Sequence, residues 1–390
     1  MMSLLRRNPL PSAAYIKVGV SNILVFLLIA GGFFRGHLYF EWFVSFILTF
    51  LVFVFALKLG KIDIPIHMHF FGIFMGIFLI GMFWSKNLYV SLRYFLYFYS
   101  GGLLWLIIHN LRKFLNIPVD IKKTLISVGL VFGVLFLVGF WRGTVGVGSY
   151  SLVNYSVLAR NHHHIGDFWA VVLAVLFSEI VTGIGEKSRW GLFWKLLLAV
   201  LGIIFLVLSF SRSAYLSLII TLFYLIYTSG KVVVTKYKPI LFFVLALLTF
   251  LFIYSTAGKS LILHRAFYLQ AIAGIVSNPL GIGVGNFSFI SMDPSYQFLG
   301  ISGITAVSDN LILEMLLGMG VFGILFAYWF FRIINDLFFT VNKYESVARI
   351  AFLVLSINFM FNYAYFIPTF LWIWFICLGQ FDFKGKTYDI

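Results

Sequence analysis

From residue 15 to residue 381 the chain alternates long apolar runs with short polar clusters. The runs have the length a helix needs to cross a bilayer, about 17 to 25 residues. They predict transmembrane helices near 15–34, 38–57, 66–84, 92–110, 124–141 and 166–184, then near 191–209, 213–229, 239–255, 310–331, 350–366 and 369–381. The hairpin between the seventh and eighth runs is so short that the pair also reads as one broken helix, which makes the count eleven. The expected fold is all-α: a polytopic integral membrane protein with about 12 transmembrane helices, forming a single transmembrane domain over residues 1–390. The first run is too long for a removable signal peptide and lacks a small-residue cleavage site, so it reads as a span. Two long connections stand out, at 143–165 and, between the ninth and tenth spans, at 256–308. Connections longer than about 12 to 15 residues are usually functional or disordered. These carry Gly, Pro, aromatics and specific charges, so function is expected on their side of the membrane.

Composition agrees with the pattern: 62% hydrophobic and 11% charged residues exclude a soluble domain. The 48 Phe, 20 Tyr and 10 Trp are read as lipid-facing or packed bulk, with Trp and Tyr at the interfaces, and name no cofactor. The net charge of +15 is first a topology signal. With the N-terminus inside, 20 of the 28 Lys and Arg fall on the cytoplasmic side. Arg35, Lys86, Arg93, Arg142, Arg160, Arg212, Lys259 and Arg265 remain outside. This predicts a multi-pass protein of the cytoplasmic (inner) membrane, both ends inside, with 256–308 as a large extracytoplasmic loop. The basic residues are scattered in short loops rather than gathered on one folded domain, which argues against nucleic acid as a partner. Cys377, the single cysteine, offers no internal disulfide and no metal or haem motif. Phosphate-loop, dinucleotide and hydrolase-elbow signatures are absent, so ATP-driven chemistry is not expected.

The outer side holds three polar groups. Arg212 stands in the run Ser209, Phe210, Ser211, Arg212, Ser213, with apolar sequence on both sides. An arginine near lipid costs roughly 2.5 to 3.5 kcal/mol at mid-membrane on insertion scales unless it faces water, an anion or protein. It reads either as a fixed cation for an anionic ligand or as an interfacial anchor reaching the headgroups. The second group is Arg160, Asn161, His162, His163, His164 and Asp167. The third runs from Lys259, His264 and Arg265 through Asn278–Phe287 to Ser308, Asp309 and Asn310. Guanidinium forks bind phosphate oxygens in pairs, and a placed carboxylate can take a proton from a hydroxyl. Together they suit a lipid substrate bearing a diphosphate. Asp309 reads either as such a base or as the N-cap of the helix starting at Leu311, a part Ser308 could also fill. Glu314 lies deeper and is expected to be structurally paired. Three consecutive histidines cannot converge on one ion from regular structure, so no metal site is expected there. His67 and His69 are read as an interfacial pair at the cytoplasmic end of a span.

At these residues the chain resembles the O-antigen ligase and O-antigen polymerase family, integral membrane glycosyltransferases that use polyisoprenyl-diphosphate-linked glycans. Four stretches carry the likeness over about residues 80–330. They are Phe83, Trp84, Ser85 with Ser91, Leu92, Arg93; the Ser-Phe-Ser-Arg-Ser turn around Arg212; Arg265 with Asn278–Phe287; and Asp309, Asn310, Leu311, Leu313, Glu314, Gly320 and Gly323. Ligases of the family usually carry His-Asn where this chain has Asp309 and Asn310, and Asp-Asn occurs in polymerase-like members.

The resemblance implies a metal-independent, inverting glycosyltransferase of surface-polysaccharide (lipopolysaccharide) assembly, without a cofactor. Its active site would face the periplasm or cell exterior. The expected activity is that of an O-antigen-type polymerase joining undecaprenyl-diphosphate-linked repeat units. The alternative is an O-antigen ligase moving the glycan to a lipid core. A polysaccharide-lipid transporter or flippase is the alternative of another class, but residues 1–195 and 196–390 show no convincing repeat of the kind such proteins carry. Asp309, Arg265 and Arg212 are the expected catalytic residues. Arg160, His162, His163, His164, Ser211, Ser213, Asn286 and Asn310 are the expected substrate contacts. The implied partners are the lipid-linked oligosaccharide donor, a glycan or lipid-core acceptor, membrane lipids and a chain-length regulator protein.

Overall fold

The computed structural model describes residues 13–33, 38–117, 119–141, 162–182, 189–228, 231–256, 260–296, 308–340, 346–381, 383 and 385–389. Its helices are α1 (Ala13–Phe33), α2 (Leu38–Leu59), α3 (Ile66–Gly81), α4 (Leu88–Leu115), α5 (Ile121–Trp141), α6 (His162–Thr182), α7 (Arg189–Ser209), α8 (Arg212–Thr228) and α9 (Lys231–Thr256). They continue with α10 (Ser260–Ser277), α11 (Leu311–Met319), α12 (Gly323–Asn335), α13 (Ser346–Phe361) and α14 (Pro368–Gly379). Among the described residues, six helical stretches are long and apolar enough to cross a membrane, and shorter apolar helices accompany them. A helix satisfies its own backbone polar groups, the condition for apolar sequence to sit in lipid. The chain is an all-α polytopic membrane protein, and each predicted apolar run falls on a helix.

Three details depart from the sequence pattern. The predicted outer loop contains a five-turn helix, α10. The run 310–331 is not one helix: it breaks at Gly320, whose φ of 59° opens a short 3₁₀ turn before α12. There Val321 N–H bonds to the Pro279 carbonyl at 2.9 Å, and a side chain at position 320 would run into that carbonyl. Finally, β1 (Lys61–Pro65) and β2 (Gly385–Asp389) form a two-stranded antiparallel sheet in which Asp63 faces Thr387. Five-residue strands give little periodicity to read, and their partner lies at the other end of the chain.

Burial shows which helices are central. The apolar window of α6 is 89% buried and that of α2 22%, so α6 is an interior helix and α2 a peripheral one. Around α6 pack α5, α7, α8 and α13, while α14 lies against α1, α4 and α13. Polar groups then collect at two opposite ends, which α4 connects. At one end Asp63 is fully buried, with His109 Nε2 at 2.6 Å and Lys113 Nζ at 2.7 Å, and its backbone exchanges bonds with the Asn110 amide. His67 belongs to this end. It is buried, with Nε2 2.8 Å from Asp336 Oδ2, whereas His69 is exposed. The first turn of α4 reaches the other end, where the sequence motifs gather.

Candidate functional site

The site is built around the start of α8. Phe210 takes a left-handed turn (φ 49°) between α7 and α8, which separates the two helices of the tight hairpin. Ser211 then caps α8: its Oγ accepts the Ala214 N–H at 3.4 Å. The Tyr215 hydroxyl ties the turn back to α7 by donating to the Leu206 carbonyl at 3.1 Å. Arg212 is the first residue of α8 and half-buried, so its guanidinium adds to the positive end of a helix.

The serines on either side of Arg212 both donate to one carboxylate. Ser211 Oγ and Ser213 Oγ each lie 2.8 Å from Asp167 Oδ1. Each hydroxyl has one proton, so the 3.1 Å approach of the two serines to one another is a packing contact. Asp167 lies in α6, 1% exposed, and takes two more donors, Asn358 from the last turn of α13 and Asn362 from just past its end. Asn358 Nδ2 is 2.8 Å from Oδ1 and Asn362 Nδ2 is 2.6 Å from Oδ2. Of the neighbouring histidines, His164 is buried with Nδ1 3.9 Å from Asp167 Oδ2, and its ring meets Tyr363 edge-on. His163 is half-buried in the same helical turn. Arg160 and the side chain of His162 lie outside the described residues.

The second motif reaches α13 too. Asn310 has the extended backbone of an N-cap (φ −146°, ψ 119°), and its Oδ1 accepts the Leu313 N–H at 2.9 Å. The cap of α11 is therefore Asn310, and the expectation that Asp309 or Ser308 fills that place is corrected. Asp309 sits one residue too early, in a left-handed conformation (φ 57°), and is buried at 5% exposure. Asn310 Nδ2 donates to the Met360 carbonyl at 2.9 Å. Tyr268 Oη approaches the same carbonyl at 3.4 Å and the Asp309 carbonyl at 3.5 Å. Burial, with the Asp309 charge adding to it, pushes the Tyr268 phenol up to about 12, so it remains a donor at neutral pH. Tyr268 lies in α10 one turn beyond Arg265, whose side chain is outside the described residues.

The glycine loop closes the arrangement. Ile282 N–H and Gly283 N–H bond to the Leu317 and Gly318 carbonyls at 3.1 and 2.9 Å. Trp84 Nε1 donates to the Leu280 carbonyl at 2.6 Å, and Ser91 Oγ to the Val284 carbonyl at 2.9 Å. Asn286 is 1% exposed, and its Nδ2 is shared among Ser85 Oγ, Ser91 Oγ and the Ile282 and Gly283 carbonyls at 2.9 to 3.1 Å. Those bonds fasten the loop to α4. Gly285 has φ 86° and lies flush on the Tyr94 ring, which leaves no room for a Cβ. Among the described residues no group of three or more His, Cys, Asp or Glu is placed to hold a metal ion.

Four stretches distant in sequence thus meet at one end of the bundle. The longest continuous part of this arrangement, from α7 to α12, also has a counterpart among known families. Residues 197–328 match the family model described as O-antigen ligase. The match covers about a third of the chain and supports the O-antigen ligase and polymerase family. No curated protein and no solved structure matches the chain. The O-antigen ligase region contains Arg212, Arg265, the glycine loop and the Asp309 turn. Asp167, Asn358 and Asn362 lie outside it, as do Ser85 and Ser91.

Three of these groups escape a sequence reading. Asp167 stands among five polar residues with no sign of which one is used. Asn358 stands in the last turn of the apolar helix α13 and Asn362 just past its end, and nothing in that apolar run shows that both turn to one carboxylate. Tyr268 looks like one tyrosine among twenty.

Proposed function

We propose that this O-antigen ligase or polymerase-type membrane enzyme is a polymerase, joining undecaprenyl-diphosphate-linked repeat units at the outer face of the cytoplasmic membrane. The support for this reading is that the Ser211–Ser213 turn and the Asp309–Asn310 turn share one anchor, the end of α13. A cationic group and a carboxylate from separate motifs therefore lie at the same end of the bundle. Asp309, where ligase members usually carry histidine, favours the polymerase side.

In this mechanism Arg212 and Arg265 hold the donor diphosphate. The acceptor hydroxyl forms a bond to the anomeric carbon as the bond from that carbon to the diphosphate oxygen breaks, and Asp309 takes the hydroxyl proton. The electron pair leaves with the diphosphate, whose growing charge the two guanidinium groups stabilise. Arg160 and His162–His164 are assigned to contact with the acceptor or headgroup, and Asn310 holds the Asp309 turn in place. A chain-length regulator would act on the product from outside the bundle.

Purified protein supplied with lipid-linked repeat units alone is expected to give a ladder of product lengths on a gel. Turnover only after a lipid core is added would make the protein a ligase instead. No turnover under either condition would favour a transporter.

A further inference from the structure

We propose that Asp167 is a positioning residue, which sets Arg212 against the Asp309 turn through the end of α13. The inference rests on the roles given above to Arg212 and Asp309. Asp167 itself is given no part as base or ligand, because it is buried and already bonded to four donors, three on Oδ1 and one on Oδ2. A carboxylate offers about four lone-pair directions, and Asp167 receives Ser211, Ser213, Asn358 and Asn362. What it does instead is join three elements. Its own helix is α6, two donors flank Arg212 at the start of α8, and two come from the end of α13, Asn358 within the helix and Asn362 one residue beyond it.

At the end of α13 the two asparagines bracket Met360, whose carbonyl receives Asn310 Nδ2 at 2.9 Å and Tyr268 Oη at 3.4 Å. A continuous path of hydrogen bonds and covalent neighbours therefore runs from Arg212 through Asp167 to Asp309. Asn362 strengthens it with a second bond, Nδ2 to Ser213 Oγ at 3.0 Å. A shift at the end of α13 alters both turns together, because each is bonded to the segment 358–362.

The carboxylate is specific to this geometry. With Asp167→Asn, the amide NH₂ meets either the Asn362 amide, which is a donor, or the Oδ1 cluster, where the Ser211 and Ser213 hydroxyls must reverse and the Asn358 amide must turn over to accept it. Asn362 cannot flip freely to relieve the clash, since its Oδ1 accepts the Tyr363 N–H at 2.7 Å. Adding Asn362→Asp to Asp167→Asn restores an acceptor opposite a donor with the same net charge.

The test compares the full-length wild type with Asp167→Asn, the paired exchange Asp167→Asn with Asn362→Asp, and Arg212→Ala with and without Asp167→Asn. Two readouts are used, transfer from a lipid-diphosphate oligosaccharide and amide hydrogen exchange in detergent. Asp167→Asn is expected to lower transfer about tenfold in the wild type but less than twofold in the Arg212→Ala background, since residues acting through one another are non-additive. Exchange at the Ser211–Ala214 and Asn358–Asn362 amides is expected to quicken about tenfold, and the paired exchange to return both readouts to within about threefold. Equal losses in both backgrounds, or unchanged exchange in folded Asp167→Asn, overturn the inference. Should Asp167→Asn not fold, the paired exchange decides: recovery of folding and transfer supports the link, and failure of both overturns it. If the wild type transfers nothing, the proposed function fails by itself, and hydrogen exchange alone decides the positioning role.

Discussion

Glu314 Oε1 accepts the backbone N–H of Gly285 at 2.9 Å, joining the glycine loop to the helix that follows Asp309. The other oxygen of the same carboxylate accepts the Ser308 N–H at 3.0 Å. One fully buried side chain thus fixes the loop and the turn on either side of the proposed reaction centre.

Removing that clamp is expected to be destabilising. Glu314→Ala leaves two buried N–H groups without acceptors, each at a cost of about 1 to 3 kcal/mol. Glu314→Gln keeps one oxygen acceptor and should lose less. Thermal unfolding in detergent checks the order: a melting temperature for Glu314→Ala equal to that of the wild type would show that the clamp is not needed.

The two arginines are expected to act in transfer rather than in folding. Loss of one charge-assisted phosphate contact costs about 1.5 to 3 kcal/mol, so Arg212→Ala and Arg265→Ala should each reduce turnover at least tenfold. Lysine at either position keeps the charge but not the paired geometry, and should recover only part of the rate. Wild-type turnover by both alanine variants in folded preparations would remove the arginines from the mechanism.

Asp309→Asn separates chemistry from architecture. Asn310 holds the cap of α11, and asparagine tolerates the left-handed backbone of position 309, so the variant should keep the cap and the turn. Transfer should nevertheless fall at least tenfold for want of a base. A variant as active as the wild type would leave Asp309 without a catalytic part.

Gly285→Ala probes the loop itself. A side chain there meets both an unfavourable φ and the Tyr94 ring, so a loss of about 1 to 3 kcal/mol is expected. The melting temperature of the purified variant reads this directly, and no shift would mean that Tyr94 can move aside.

Most of the helices were legible because lipid imposes a length and a polarity on each run, and those are local properties of sequence. Arg212 and the Asp309–Asn310 pair were legible as isolated polar islands in apolar surroundings. Position along a run, however, does not tell which of two adjacent polar residues turns inward. That is why the cap was expected at Asp309 or Ser308 and is found at Asn310. The same limit applies to His67 and His69 at one end of their span, of which His67 is buried against Asp336 and His69 is exposed.

By itself, then, the chain determined its solvent, its helices and the charged residues available for chemistry, since each follows from the transfer free energy of a short segment. Only tertiary packing decided that Asp167, Asn358 and Asn362 meet across as many as 195 positions, and that four motifs close at one end of the bundle. The physical reason is range. Burial of a run is set by its own composition, whereas a hydrogen bond of less than 3 Å exists only after distant helices have fixed both partners in place.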